Sequence, residues 1–284
     1  MAFDTNHNDR FVELLAIGNE LLVGQVQDTN SHWLVQQLTG LGAQVRRASM
    51  VRDDYDDIGT ELRAALERGP KLVITTGGLG PTDDDMTFRA IARAFELPLE
   101  VHPEALEMVR RRYEYLATVR EGFDPSLNDA RRKMAHFPRG ADVLANATGA
   151  APALALDLGS TTLVSLPGVP SEMKDIFSTS LQPILARTLG TGCYVERNLF
   201  LDRGDESQIA ALLAQVQARH TTVYIKSRGQ ARDGVRHLTV VLARGGNDLA
   251  EVRGEVLGTE AEIVAGLATL GYGIVEVIES GRSG

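Results

Sequence analysis

Apolar residues in this chain fall into short unbroken runs, separated by stretches in which they recur every three or four positions. Phe11 to Ile17 is apolar at every position except Glu13, the mark of a strand buried on both faces. Gly18-Asn19-Glu20 follows as a turn. Asp28 then stands as the N-cap of a helix whose inward face carries Trp33, Leu34, Gln37, Leu38 and Leu41. Val45 to Val51 predicts a second strand, Ile58, Leu62, Ala65 and Leu66 an amphipathic helix, and Lys71 to Thr75 a third strand. Strands and helices alternating at this spacing mean βαβ units and a mainly parallel sheet. Further on, helices are expected over Pro103–Tyr115 and Asp124–Met134, and short strands near Asp142–Ala145, Ala153–Asp157 and Thr162–Leu166. Pro170 suits the first position of a helix running through Ile176, Leu181 and Leu185.

At Gly190-Thr191-Gly192 the order changes. Beyond it come a strand (Asn198–Leu201), a helix (Glu206–Ala218), two strands (Thr222–Lys226, His237–Ala243), a helix (Glu255–Leu270) and a strand (Ile274–Ile278). That βαββαβ order is the split-βαβ, ferredoxin-like pattern. Two domains are therefore expected, 1–190 of α/β class and 191–284 of α+β class.

Composition narrows the partners. The chain has 29 Lys and Arg against 38 Asp and Glu, a net charge of −9, which argues against broad binding to nucleic acid or an anionic membrane. Residues 198–284 hold nine basic against eleven acidic residues, so this half carries no basic footprint either. A local exception is Lys226, Arg228, Arg232 and Arg236 around Gly229 and Gly234, read as a solvated hairpin loop or as a basic arm reaching phosphate. The single Cys193 fits a reducing compartment. The polar start (Asp4, Asn6, His7, Asn8, Asp9) lacks the apolar core of a signal peptide, and no run approaches the ~20 apolar residues of a membrane span. A cytoplasmic protein is expected.

The chemistry concentrates in Thr75-Thr76-Gly77-Gly78-Leu79-Gly80-Pro81-Thr82-Asp83-Asp84-Asp85-Met86-Thr87. A glycine-rich turn between a strand and a helix gathers backbone N–H groups at the positive end of the helix dipole, which makes a phosphate cradle. Three carboxylates beside such a cradle repel the ligand unless a divalent cation lies between, and Mg²⁺ is commonly held by one or two carboxylates plus phosphate oxygens. Capping by Asp83 or Asp84 needs one acid, not three. Three other features fall at strand ends, where ligands of open parallel sheets sit: Gly18-Asn19-Glu20, Asp53-Asp54 and Pro167-Gly168-Val169-Pro170-Ser171-Glu172. Each taken singly is also an ordinary turn or cap; their common location points to metal-assisted attack of water on a phosphoanhydride. The chain lacks Gly-x-x-x-x-Gly-Lys-Ser/Thr and Gly-x-Gly-x-x-Gly, so neither a P-loop nor a dinucleotide fingerprint accounts for the cradle.

These residues resemble the CinA family, the competence/damage-inducible proteins, whose N-terminal domain is similar to the molybdopterin-binding domains of MogA, MoaB and MoeA. The matching pieces are Gly18-Asn19-Glu20-Leu21-Leu22 with Gly24 and Asp28-Thr29-Asn30, then Thr75–Thr87, Asn146 with Gly149 and Pro152, and Leu166–Met173. The resemblance implies a three-layer α/β/α domain, a KH-like segment after it, and a homo-oligomer. It also implies divalent-metal-dependent hydrolysis of ADP-ribose to AMP and ribose 5-phosphate, with adenylyl transfer to a pterin or nucleotide binding without catalysis as alternatives. By motif position Asp85 and Asp53 match the acids that matter in the relatives, with Glu20 beside them and Asp83 left as a helix cap. Asp84 and Asp85 would hold Mg²⁺, or in its place Mn²⁺ or Co²⁺. The expected contacts to a nucleotide substrate are Gly18, Asp28, Asn30, Thr76, Gly77, Gly78, Gly80, Pro81, Thr82, Thr87, Asn146, Gly149, Pro167, Gly168, Pro170, Ser171 and Glu172. Asn19 stands where the family has Asp, and Gly149-Ala150-Ala151-Pro152-Ala153 where it has Gly-Thr-Ala-Pro-Gly. Longer members carry a C-terminal nicotinamide-mononucleotide deamidase domain, which nothing in these residues matches.

Overall fold

The computed structural model describes residues 10–190, 192–232 and 235–283. They divide into two compact units, one of residues 10–36 and 44–189, the other of 37–43 and 190 onward.

The larger unit is built on β1 (Phe11–Ile17), buried at all seven positions. It pairs in parallel with β2 (Gln44–Val51) on one side and β3 (Leu72–Thr76) on the other. β8 (Thr161–Leu166) continues the parallel set beside β3, and β7 (Ala153–Leu158) and β6 (Asp142–Leu144) add antiparallel strands in the order β2-β1-β3-β8-β7-β6. This is the mainly parallel α/β class that alternation of strands and helices requires. Successive side chains of β1 face opposite layers. Leu15 and Ile17 join Val73, Leu163 and the helices α3 (Tyr55–Glu67), α4 (Thr87–Ala94) and α5 (Pro103–Val119) in one core cluster. Leu14 and Ala16 are equally buried on the other face. In that second helical layer Trp33 of α2 (Thr29–Gly40) meets Phe177 of α7 (Pro170–Ser178) edge-on at 5.1 Å. The polar exception in β1, Glu13, is 3% exposed and takes two hydrogen bonds of 2.6 Å from the Arg68 guanidinium.

Several local expectations need correction. The turn after β1 is a one-turn helix, α1 (Asn19–Leu22). The helix expected over 124–134 shrinks to α6 (Asp129–Lys133), because Asp124 precedes a proline and turns its carboxylate onto Ser126 N–H and Oγ. Asn128 caps the short helix through Arg131 N–H. The helix drawn through Ile176 and Leu185 is two, α7 and α8 (Gln182–Leu189). Thr179 and Ser180 break it by bonding their hydroxyls to the carbonyls of Asp175 and Ala145. A two-stranded pair of β4 (Leu99–Val101) and β5 (His136–Pro138) was not anticipated, being too short to show a period.

The second unit runs β9 (Cys193–Leu201), α9 (Glu206–Arg219), β10 (Tyr224–Arg232), β11 (Val235–Gly246), α10 (Leu249–Thr269), β12 (Ile274–Ser283). Its sheet is wholly antiparallel in the order β10-β11-β9-β12. Val195, Leu199, Val240 and Leu242 form its core with Ile209, Val216, Val256 and Ile263 from the two helices. Lys226 and Arg228 sit in the β10–β11 ladder, opposite Val241 and Thr239, rather than in a loop. Gly234 and the side chains of Arg232 and Arg236 lie outside the described residues, as does the polar segment 4–9. Among the described residues no helix is long and apolar enough to cross a membrane.

Candidate functional site

Beyond the carboxyl ends of β1, β2, β3 and β8 the larger unit opens a cleft of about 410 Å³, within the size range of small-molecule sites. Each strand delivers one segment to it: Gly18 and Glu20 after β1, Asp53 after β2, Gly77 to Gly80 after β3, and Pro167 and Gly168 after β8.

The glycine turn is shaped by two positions that exclude a side chain. Gly77 has φ +103°, and a Cβ there would stand 2.1 Å from the Ile17 carbonyl oxygen. Gly78 has φ +67°, and a Cβ would meet Thr87 Oγ1 at 2.3 Å. The turn is pinned at both ends. Gly77 N–H donates to Leu166 O at 3.0 Å, Thr87 N–H to Gly78 O at 3.1 Å, and Thr87 Oγ1 to Gly77 O at 2.8 Å. What remains are the N–H groups of Gly78, Leu79 and Gly80. These three consecutive amides make no hydrogen bond among the described residues, and their residues line the cleft. Buried or half-buried amides are otherwise almost always paired, so three together form a site that an anion satisfies.

The acids after the turn are folded back on it. Asp85 Oδ2 accepts from Thr82 N–H at 2.9 Å and from Thr82 Oγ1 at 2.7 Å, and the same hydroxyl is bonded to Asp84 Oδ1. That hydroxyl, the Asp84 N–H and the charge of Lys133 hold the Asp84 carboxyl below its ordinary range. Lys133 Nζ donates to the Thr82 carbonyl and closes the loop from outside; burial lowers its proton affinity, against the pull of Asp85 and its two acidic neighbours. The cap of α4 is Met86, with no side-chain cap bond, so Asp83 is not the helix cap expected of it. Asp84 and Asp85 are not caps either, because the chain reaches Thr87 through the Thr82–Asp85 turn and their carboxylates bond to Thr82 within it.

Asp53 and Asp54 separate cleanly. Asp54 caps α3, accepting from Asp56 and Asp57 N–H, which lowers its proton affinity. Asp53 turns into the cleft, where Asn19 N–H donates to its Oδ2 at 2.8 Å. Burial raises its proton affinity above the carboxylate norm, and the charges of Glu20, Asp84 and Asp85 add to that rise against the Asn19 bond. All four carboxylates line one cleft, and the other three act on Asp53 across it.

On the far wall Glu172 Oε2 accepts from Asn146 Nδ2 at 2.7 Å, while Asn146 Oδ1 accepts from Gly149 N–H at 2.7 Å. Gly149 lies so close to Glu172 that a Cβ would fall 1.8 Å from the carboxylate.

Of the expected contacts, Gly18, Glu20, Asp53, Gly77, Gly78, Gly80, Pro81, Asp84, Asp85, Pro167, Gly168 and Glu172 line the cleft. The remainder stand behind it. Asp28 caps α2 through Ser31 N–H, Asn30 donates to Gly168 O, Thr76 and Thr87 are buried, and Thr82 is committed to Asp84 and Asp85. Asn146 and Gly149 brace Glu172, and Pro170 and Ser171 open α7 without reaching the wall. Tyr113 and Met134 line the cleft unanticipated. They arrive from α5 and the end of α6, neither of which follows a strand end of the parallel sheet; the basic run ending at Lys133 was the available hint.

Among the described residues no three His, Cys, Asp or Glu side chains are grouped as a metal cage. The donor set is instead all-oxygen, with carboxylates beside an anion cradle. It fits a hard divalent cation that takes one or two carboxylates and completes its shell with phosphate oxygens and water.

Residues 13–187 match the family model described as "Probable molybdopterin binding domain". The chain belongs to this family. A protein of Aeropyrum pernix is 39% identical over 265 residues, covering 93% of this chain and 96% of its own. One from Pyrobaculum aerophilum is 39% identical over 242 residues, covering 84% and 88%. A solved structure described as CinA of unknown function, from Thermoplasma acidophilum, is 36% identical with a TM-score of 0.57, covering 62% of this chain and 99% of that one.

Proposed function

We propose that this chain is a divalent-metal-dependent nucleotide pyrophosphatase that hydrolyses ADP-ribose, or a similar dinucleotide, to AMP and ribose 5-phosphate. The observation that carries this reading is the meeting of three unpaired amides, Gly78 to Gly80, with carboxylates from three strand ends in one cleft. The amides hold phosphate oxygens. Asp85 and Asp84 would hold the cation, which when bound supplies charge neutralisation at the phosphate. Asp53, whose surroundings raise its proton affinity, takes a proton from the attacking water, and Glu20 orients that water. Water adds to one phosphorus as the bridging oxygen leaves with the other phosphate, so AMP and ribose 5-phosphate account for all atoms.

The family's description as a molybdopterin-binding domain supports a pterin as ligand, and with it a second reading, adenylyl transfer to a pterin on the same cradle. Incubating the purified protein with ADP-ribose, FAD, or ATP plus a pterin, each with and without Mg²⁺, Mn²⁺ or Co²⁺, separates the two. AMP released from ADP-ribose only with metal supports hydrolysis, and an adenylylated pterin supports transfer. Saturable binding with no product in any mixture refutes both and leaves a nucleotide-binding protein.

A further inference from the structure

The cleft has a wall that a diphosphate does not need. Tyr113, half-buried on α5, lines it together with Ala150 and Ala151. Its ring stacks with Phe123 at 6.0 Å between centroids and 14° between planes, and the Arg131 guanidinium lies 3.9 Å from its centroid. Arg131 is itself fixed, donating through Nη1 to the carbonyls of Asp124 and Ser126 at 2.6 Å each. The ring is therefore held in place before any ligand arrives. The loop carrying the two alanines is tied to α5 next door, where Arg112 Nη2 donates to Thr148 O at 2.5 Å. Side chains as small as Ala150 and Ala151 leave a space beside the ring.

We infer that Tyr113 is the platform for a planar heteroaromatic ring, a nucleobase or a pterin, attached to the phosphate held at Gly78–Gly80, and that it sets the preference of the site for ring-bearing ligands. This inference rests on the reading of the cleft as a phosphate site and adds the residue that contacts the ring of the ligand. Sugars and phosphates do not stack; aromatic rings do, tolerantly of which ring it is. Arg131 lies against one face of the ring, so a ligand ring would stack on the opposite face.

The test compares phosphate ligands with and without an aromatic ring. Isothermal titration of the full chain with Mg²⁺ uses AMP, a pterin phosphate ester, ribose 5-phosphate and inorganic pyrophosphate. AMP or the pterin ester is expected to bind about tenfold tighter than ribose 5-phosphate, and the tighter of the two identifies the ring. Tyr113→Leu should reduce that advantage to about twofold or less while leaving pyrophosphate affinity unchanged, which also shows that the variant is folded; Tyr113→Phe should keep it. No ring preference in the parent chain, or a preference that survives Tyr113→Leu, overturns the inference while pyrophosphate binding upholds the cradle. Absence of saturable pyrophosphate binding overturns both.

Discussion

Replacing Asp85 by Asn separates the charge of this carboxylate from its structural part. Its Oδ2 accepts from both the N–H and the hydroxyl of Thr82, and an asparagine carbonyl oxygen can accept the same two bonds. Charge-assisted bonds weaken to neutral ones, so the fold should lose about 1 kcal/mol. The loss at the cation is larger. Of the two carboxylates assigned to it, one disappears, and deleting a single electrostatic partner of a transition state typically costs about 3 kcal/mol, or roughly a hundredfold in rate. AMP release from ADP-ribose at saturating Mg²⁺ measures the rate, and the urea midpoint measures the fold. Asp83→Asn is the control: Asp83 is exposed, does not line the cleft and caps no helix, so its rate should stay within about twofold of the parent. An Asp85→Asn variant with near-parental turnover, or an Asp83→Asn variant equally impaired, refutes the assignment.

Glu13→Ala strands the Arg68 guanidinium against a nearly buried site, although the Glu61 carboxylate at 2.9 Å still holds it; a loss of about 3 kcal/mol is expected, read as a lower urea midpoint. For Asp53, a raised folded proton affinity means that the native state binds more protons than the unfolded chain just above the ordinary carboxylate value of 3.8, so stability falls as pH rises through that window. Asp53→Asn keeps the acceptor for Asn19 N–H; it should leave stability equal or higher at pH 7 while lowering AMP release, and thermal midpoints across pH 3 to 8 check the sign. Gly78→Ala places its Cβ 2.3 Å from Thr87 Oγ1 at positive φ; a cost of about 1–3 kcal/mol in the melting curve and weaker pyrophosphate binding by calorimetry are expected together.

The sequence made the βαβ half legible because burial on both faces writes long apolar runs, as in Phe11–Ile17, and glycines at strand ends mark where the sheet stops. Elements held by single side chains were not legible. Thr179 and Ser180 split a helix by bonding to carbonyls, and β4 with β5 is three residues long on each strand. The same limit divided the site. Segments that follow strands directly, such as Gly77–Gly80 and Asp53, could be placed by strand ends alone. Tyr113 reaches the cleft through the packing of α5, and Thr82, expected at the ligand, spends its bonds on Asp84 and Asp85. Motif membership and contact with the cleft are therefore separate properties: Asp28, Asn30 and Thr87 hold the segments that line it.

Charge decides what the cleft can accept. Glu20, Asp53, Asp84 and Asp85 face it, whereas Lys133, whose charge acts on Asp84 and Asp85, donates its ammonium to the Thr82 carbonyl. Two like charges 4 Å apart at the edge of a protein repel by about 4 kcal/mol, so each further negative charge on a free diphosphate works against the three amides that attract it. The amides alone recommend a phosphate, and the carboxylates alone recommend a cation. Together they favour a ligand in which the two arrive combined, and the same repulsion adds to the rise of proton affinity that burial produces at Asp53. A divalent cation held by Asp84 and Asp85 would offset the charge of the phosphate and would lessen the share of the rise at Asp53 that comes from its acidic neighbours, favouring the ionised form that can take a proton from water.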